Sequence, residues 1–213
     1  MEPKVSVAVS LNSHGKIFDK NHKADPLRGG LLCILKNHLI RGKIWNLFHL
    51  TFHQQTGSLC VTDERGQIYS MNFYDNVYES LRLASYPILC LEFIHSRPSQ
   101  LLVAYANGFT VCIDLITHRI TSTLSPRGSD PICLMRCSLT KPFAVMLSLS
   151  GKLTLWDISE MKILRRMEIP EPVVDLFFLS GSQIIVIFQT LGAVIYSLSD
   201  SMNVIGRCTT PPR

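Results

Sequence analysis

Hydrophobic and polar positions alternate in four separated stretches of the chain: Phe48 to Phe52, Ile88 to Phe93, Ile132 to Cys137 and Val173 to Phe178. A period of two is the pattern of a strand with unlike faces. After a few turn residues each stretch is followed by a run that is apolar on successive positions: Leu59-Cys60-Val61, Leu101 to Ala104, Phe143 to Leu147 and Ile184 to Phe188. Such a run, at strand length, predicts a strand covered on both faces. A glycine comes next, at 66, 108, 151 and 192, spaced 42, 43 and 41 residues apart. It opens a third strand: Gln67 to Phe73, Phe109 to Leu115, Lys152 to Ile158 and Ala193 to Ser199. A more polar fourth strand completes each copy, as in His118 to Thr123 and Lys162 to Met167. The pattern predicts four copies of a four-stranded antiparallel unit.

The hairpins between first and second strands carry turn residues, Gln55-Thr56-Gly57, Arg97-Pro98-Ser99, Thr140-Lys141-Pro142 and Ser180-Gly181-Ser182. Leu50, Leu91, Leu134 and Leu176 are read as matching positions of the first strands, and the copies span roughly 44–84, 85–127, 128–169 and 170–208. The sixth residue after each glycine is Asn72, Asp114, Asp157 and Leu198 in turn, and Trp156-Asp157 occurs only in the third copy. Trp156 has two readings, an exposed interface anchor or a packing residue between copies, and its place in the repeat favours packing. Residues 1–30, rich in Asn, Lys, Gly and Pro after a short Val5, Val7, Val9 alternation, are expected to be poorly ordered. A leading strand, Leu31 to Leu35, is expected ahead of the repeats, so the repeat region with its lead runs over 31–208.

Period, strand order and the Trp156-Asp157 dipeptide together resemble the WD-repeat family of β-propellers over about residues 44 to 207. The resemblance implies an all-β propeller segment of about four four-stranded blades, with Gly66, Gly108, Gly151, Gly192, Asp114, Trp156 and Asp157 as its structural residues. A Gly-His dipeptide opens the repeats of that family, and none precedes a first strand here, so apolar packing is expected in place of its buried polar set. Four blades and a leading strand leave a small ring and an open arc as arrangements. The expectation is an open or incomplete ring with uncovered apolar edges that call for partners.

Further along, Gly30-Leu31-Leu32-Cys33-Ile34-Leu35, Gly42-Lys43-Ile44, Asp63-Glu64-Arg65-Gly66-Gln67-Ile68-Tyr69 and Leu102 to Gly108 are similar to the amino-terminal propeller of TBC-domain proteins of centriolar satellites. That resemblance implies a propeller preceding a Rab-GTPase-activating-type TBC domain and a coiled coil, and a part in assembling complexes near the ciliary base. Neither later part is expected in this sequence, so the segment alone is not expected to be an enzyme.

Composition adds constraints. Among 213 residues, 46% are hydrophobic and 17% charged, with a mean hydropathy of +0.21, enough for a sizeable core. No apolar run reaches the roughly 20 residues of a spanning helix, and Met1 to Ser6 lacks the start of a signal peptide. The expected location is cytoplasmic, with centrosome or centriolar satellite implied by the second resemblance. Seven cysteines (33, 60, 90, 112, 133, 137, 208) without a Cys-x-x-Cys pair are read as reduced thiols. The formal charge of +5 is scattered, as on a solvated face, and does not form a nucleic-acid footprint.

Phosphate-loop, nucleophile-elbow, zinc-protease and EF-hand motifs are absent from the sequence. No cofactor, metal or small-molecule substrate is expected. His49 and His53 would lie about 13 Å apart along one strand, too far to share a metal. Asp114 and Asp157 end equivalent strands of different blades and are expected to bond local backbone. Proteins are the expected partners, met through loops at Asp63, Glu64 and Arg65, at Arg127 to Asp130, and at Lys141.

Overall fold

A computed structural model describes residues 47–72, 77–169, 171–190, 192–199 and 202–208. The expected N-terminal segment, with its short alternation at Val5 to Val9, and the leading strand Leu31 to Leu35 lie outside these residues. Within them the chain is all β, with no helix. The first sheet holds β1 (Leu47–His53), β2 (Ser58–Asp63), β3 (Ile68–Asn72) and β4 (Val77–Leu81); the second holds β5 (Ile88–Phe93), β6 (Gln100–Tyr105), β7 (Thr110–Asp114) and β8 (Arg119–Ser125). The third holds β9 (Ile132–Cys137), β10 (Phe143–Ser148), β11 (Lys152–Asp157) and β12 (Lys162–Glu168); the fourth holds β13 (Val173–Ser180), β14 (Gln183–Phe188), β15 (Gly192–Ser197) and β16 (Val204–Cys208). Every sheet keeps chain order, is antiparallel and stays open, as propeller blades do.

The chain divides into two compact units, Met1–Ile88 and Leu89–Arg213. In the first, β2 is buried at five of its six positions, and the Ile68, Tyr69 and Met71 side chains of β3 are buried beside it. In the second, three sheets pack through two apolar clusters. Cys90, Leu102, Ala104 and Cys112 of the second sheet meet Met135, Ala144, Met146 and Trp156 of the third. Val145, Leu147, Leu153 and Leu155 of the third meet Leu176, Ile184, Val186 and Phe188 of the fourth. Strand β10 explains its own sequence: Ala144 and Met146 point into one cluster, Val145 and Leu147 into the other, so no position from Ala144 to Leu147 is left for a polar side chain.

Strand β14 departs from that pattern. Its residues are as apolar as those of β10, yet they are buried only in alternation, at Ile184, Val186 and Phe188, while Ile185 and Ile187 are half-buried and belong to neither cluster. Among the described residues, one face of the fourth sheet joins an apolar cluster and the other does not.

Two expectations of register are corrected. Leu134 lies opposite Leu147, four residues before Gly151, whereas Leu176 lies opposite Val186, six before Gly192, and Leu50 opposite Val61, five before Gly66. The three leucines therefore do not occupy one position. Irregularities in the ladders at Leu47/Leu50, Leu147/Ser148 and Val173/Asp175 shift the strands by single residues. Likewise Gly66, Gly108 and Gly151 precede their third strands, but Gly192 is the first residue of β15, paired with Phe188.

Candidate functional site

Turns at the ends of the sheets carry the candidate site, and two devices hold them in shape. The first is the glycine turn between second and third strands. Gly66, Gly108 and Gly151 have φ of 76°, 81° and 83°, and each donates its N–H to the carbonyl three residues earlier, on Asp63, Tyr105 and Ser148. The chain leaving the fourth strand then passes over the glycine of its own blade. A Cβ on Gly66 would stand 2.2 Å from the Tyr86 carbonyl oxygen, and one on Gly108 1.8 Å from that of Ser129. In the third sheet the crossing is fastened by Ile169 N–H donating to the Gly151 carbonyl at 2.8 Å. Both the left-handed backbone and the close approach require glycine.

The second device is a side-chain cap on the turn after the third strand of the second, third and fourth sheets. Asp114 Oδ1 accepts from the N–H groups of Ile116 and Thr117 and from the Thr117 hydroxyl, while its Oδ2 accepts from Ser99. Asp157 Oδ1 accepts from the N–H of Ser159 and of Glu160 and from the Ser159 hydroxyl. These bonds, led by Thr117 for Asp114 and by Ser159 for Asp157, hold both carboxyls below the ordinary aspartate value. In the fourth sheet Ser197 ends β15 and its Oγ accepts from Ser199 N–H. Ser197, and not Leu198, is therefore the counterpart of Asp157. An Asp, Asn or Ser two residues ahead of a turn N–H was the signal available for it.

The interaction candidates scatter among these turns. Asp63 is 2% exposed; its carboxylate accepts from Arg65 N–H, Gln67 N–H and the Tyr69 hydroxyl. That residue is a buried cap, which corrects its reading as a contact residue. Glu64 is half-buried and Arg65 exposed on the same turn. Arg127 is exposed over the Phe109 ring, 5.5 Å from its centroid. Asp130 accepts from the Ser150 hydroxyl, tying the crossing chain to the next blade's glycine turn; bonds from Ser148 and Ser150 lower its carboxyl's pKa. Lys141 is exposed at the other end of the third sheet, 5.8 Å from the Phe143 ring. Trp156 is 7% exposed and packed between the second and third sheets.

More prominent than any of these are three residues the sequence reading passed over. Ile116, Leu139 and Leu149 are 80%, 75% and 64% exposed, the highest values among the exposed large hydrophobics. Each sits in a capped turn of the second unit: Ile116 behind Asp114, Leu139 behind Ser138, whose Oγ accepts from Thr140 and Lys141 N–H, and Leu149 behind Ser148, whose Oγ accepts from Lys152 N–H. Each of the three is thus an aliphatic side chain held out in water on a turn whose backbone is fixed by a side-chain cap.

The chain is similar to TBC1 domain family member 31 of Mus musculus. The two are 25% identical over 131 residues, which is 62% of this chain and 13% of the mouse protein. This likeness and the four-stranded sheets both fit a propeller. No family model matches the chain.

Other chemistry is sparse. Among the described residues no three His, Cys, Asp or Glu side chains form a possible metal set, and no helix is long and apolar enough to cross a membrane. His53 is fully buried, with Nδ1 2.8 Å from the Thr56 hydroxyl. Burial raises the thiol pKa of Cys60, Cys90, Cys112, Cys133 and Cys137, which leaves them as poor nucleophiles.

Proposed function

We propose that this chain is a noncatalytic protein-interaction module of the TBC-protein propeller type, and that its contacts are made by the turns. The observation that carries this reading is the set of exposed aliphatic side chains, Ile116, Leu139 and Leu149, on turns fixed by Asp114, Ser138 and Ser148. A rigid turn loses little conformational entropy on binding, so an apolar tip on it contributes affinity efficiently. The likeness to a TBC1-domain protein supports a place within a larger assembly, and the resemblance to centriolar-satellite proteins points to assembly near the ciliary base. The same likeness favours a second reading, that the module regulates a GTPase-activating domain carried elsewhere.

Affinity purification of the tagged chain beside an Ile116→Glu/Leu139→Glu/Leu149→Glu variant tests the proposal. Loss of a reproducible set of partners, with the melting temperature unchanged, is the expected result. Identical partner sets for both proteins would overturn it, and a change in GTP hydrolysis on adding the chain to a TBC domain would select the second reading.

A further inference from the structure

Arginine stands three residues before a serine or threonine at three places in the chain: Arg82 before Ser85, Arg119 before Ser122 and Arg207 before Thr210. The structure separates them. Ser122 lies within β8, half-buried and opposite Cys112 in the ladder, so an enzyme reaches it only by unzipping the strand. Thr210 lies outside the described residues and is followed by Pro211. Ser85 lies between the end of β4 at Leu81 and the start of β5 at Ile88, in a segment that belongs to no strand. Arg82, Ser85 and Tyr86 are all exposed there, and the Arg82 guanidinium makes only a long bond, 3.4 Å from Nε to the Ala84 carbonyl.

The same segment passes over the Gly66 turn at Tyr86. In the second and third sheets the corresponding crossing is fastened by a backbone bond, Gly128 N–H to the Asn107 carbonyl and Ile169 N–H to the Gly151 carbonyl, both at 2.8 Å. Among the described residues no such bond fastens the first crossing. Residues 82–87 can therefore lift from their turn without breaking a ladder or a latch. We propose that Ser85 is a phosphorylation site for a basophilic serine kinase, one whose acidic groove pairs with Arg82 and whose apolar pocket takes Tyr86. The Ser85 hydroxyl oxygen attacks the γ-phosphorus of ATP, the bond to the bridging oxygen breaks, ADP leaves, and the hydroxyl proton passes to the kinase's catalytic carboxylate. The phosphate carries about −1.5 to −2 charge and stands on the connection from the first sheet to the second, three residues from Arg82. This site is separate from the turn contacts proposed above and does not depend on them.

Incubation of the whole chain with calcium/calmodulin-dependent protein kinase II, calmodulin, Ca²⁺ and Mg-ATP, read by mass spectrometry of the intact chain and its peptides, tests the proposal. Phosphate on Ser85 is the expected result. Ser85→Ala should abolish it and Arg82→Ala should slow it by about tenfold or more, with the melting temperature of both variants matching the parent's. Arg82→Lys, which keeps the charge, should recover part of the rate and guards against an effect of folding. No incorporation, or phosphate on Ser122 in place of Ser85, would overturn the proposal. So would an equal rate in the Arg82→Ala variant.

Discussion

Arg136 of β9 donates through Nη2 to Asp175 Oδ1 of β13 at 2.8 Å, so the first strands of two successive sheets are joined by an ion pair. The same guanidinium lies 5.4 Å from the centroid of the Phe177 ring and donates through Nη1 to the Met135 carbonyl. Both side chains of the pair are about 30% exposed, Arg136 at 30% and Asp175 at 31%, so water screens them. The packing of the two sheets rests on the aliphatic cluster beneath. Asp175→Asn should therefore lower stability by less than about 1 kcal/mol, with a coupling to Arg136→Met of about 0.2–1 kcal/mol that fades in high salt. A double-mutant cycle in urea at low and high ionic strength measures it.

Gly108 and Gly128 form a matched pair. Their φ angles are 81° and 84°, but a Cβ on Gly108 would strike the Ser129 carbonyl while one on Gly128 meets nothing within 4 Å. Gly128→Ala should cost about 1–2 kcal/mol for the left-handed backbone alone. Gly108→Ala should exceed it clearly and reach about 4 kcal/mol, the range of severe strain. Equal losses in denaturant unfolding would show that the crossing chain yields freely.

Trp156 and Leu139 separate packing from display. Trp156→Ala empties space between two sheets and should cost about 3–5 kcal/mol. Leu139→Ala, at a turn tip, should stay within about 0.5 kcal/mol of the parent. Chemical unfolding of the two variants side by side reads the difference.

Removing the Asp63 carboxylate takes this acceptor from the buried Tyr69 hydroxyl and from two partly buried turn N–H groups. Asp63→Ala should cost about 1.5–3 kcal/mol, whereas Arg65→Ala on the same turn should change stability by less than about 0.5 kcal/mol. Melting temperatures of both variants check the contrast.

The caps at Asp114 and Asp157 add a dependence on acid. Their folded carboxyls lie below the ordinary value of 3.8, so the stabilisation is present above that value and is lost as the pH falls through the lower folded value. Asp114→Asn/Asp157→Asn should therefore lose less stability than the parent on going from neutral pH to the region below about pH 4. Parallel slopes of stability against pH would remove the caps from this role.

Sequence alone revealed the strand order and the third copy's packing tryptophan, because the middle of a strand enclosed on both faces is apolar on successive positions and a turn closely crossed by a later segment of the chain requires glycine. It did not reveal the single-residue slips that displace Leu134 and Leu176, since a bulge changes geometry without needing a particular side chain. For the same reason Leu198 looked like the counterpart of Asp157, although Ser197 makes the cap. Asp63 looked like a surface carboxylate because nothing in its own sequence neighbourhood reveals that Tyr69 folds over it. The exposed aliphatics escaped for the opposite reason: Ile116, Leu139 and Leu149 each adjoin apolar strands, and only their place in a capped turn distinguishes them from core.

The crossing of each chain over its own glycine turn also bears on how such a molecule grows. Gly151 is fastened to Ile169 within the same copy, and Asp130, at the entrance to the third copy, bonds Ser150 of that copy. The third stretch of some forty residues thus carries both fastenings within itself. A tandem duplication of that stretch would bring both fastenings with it.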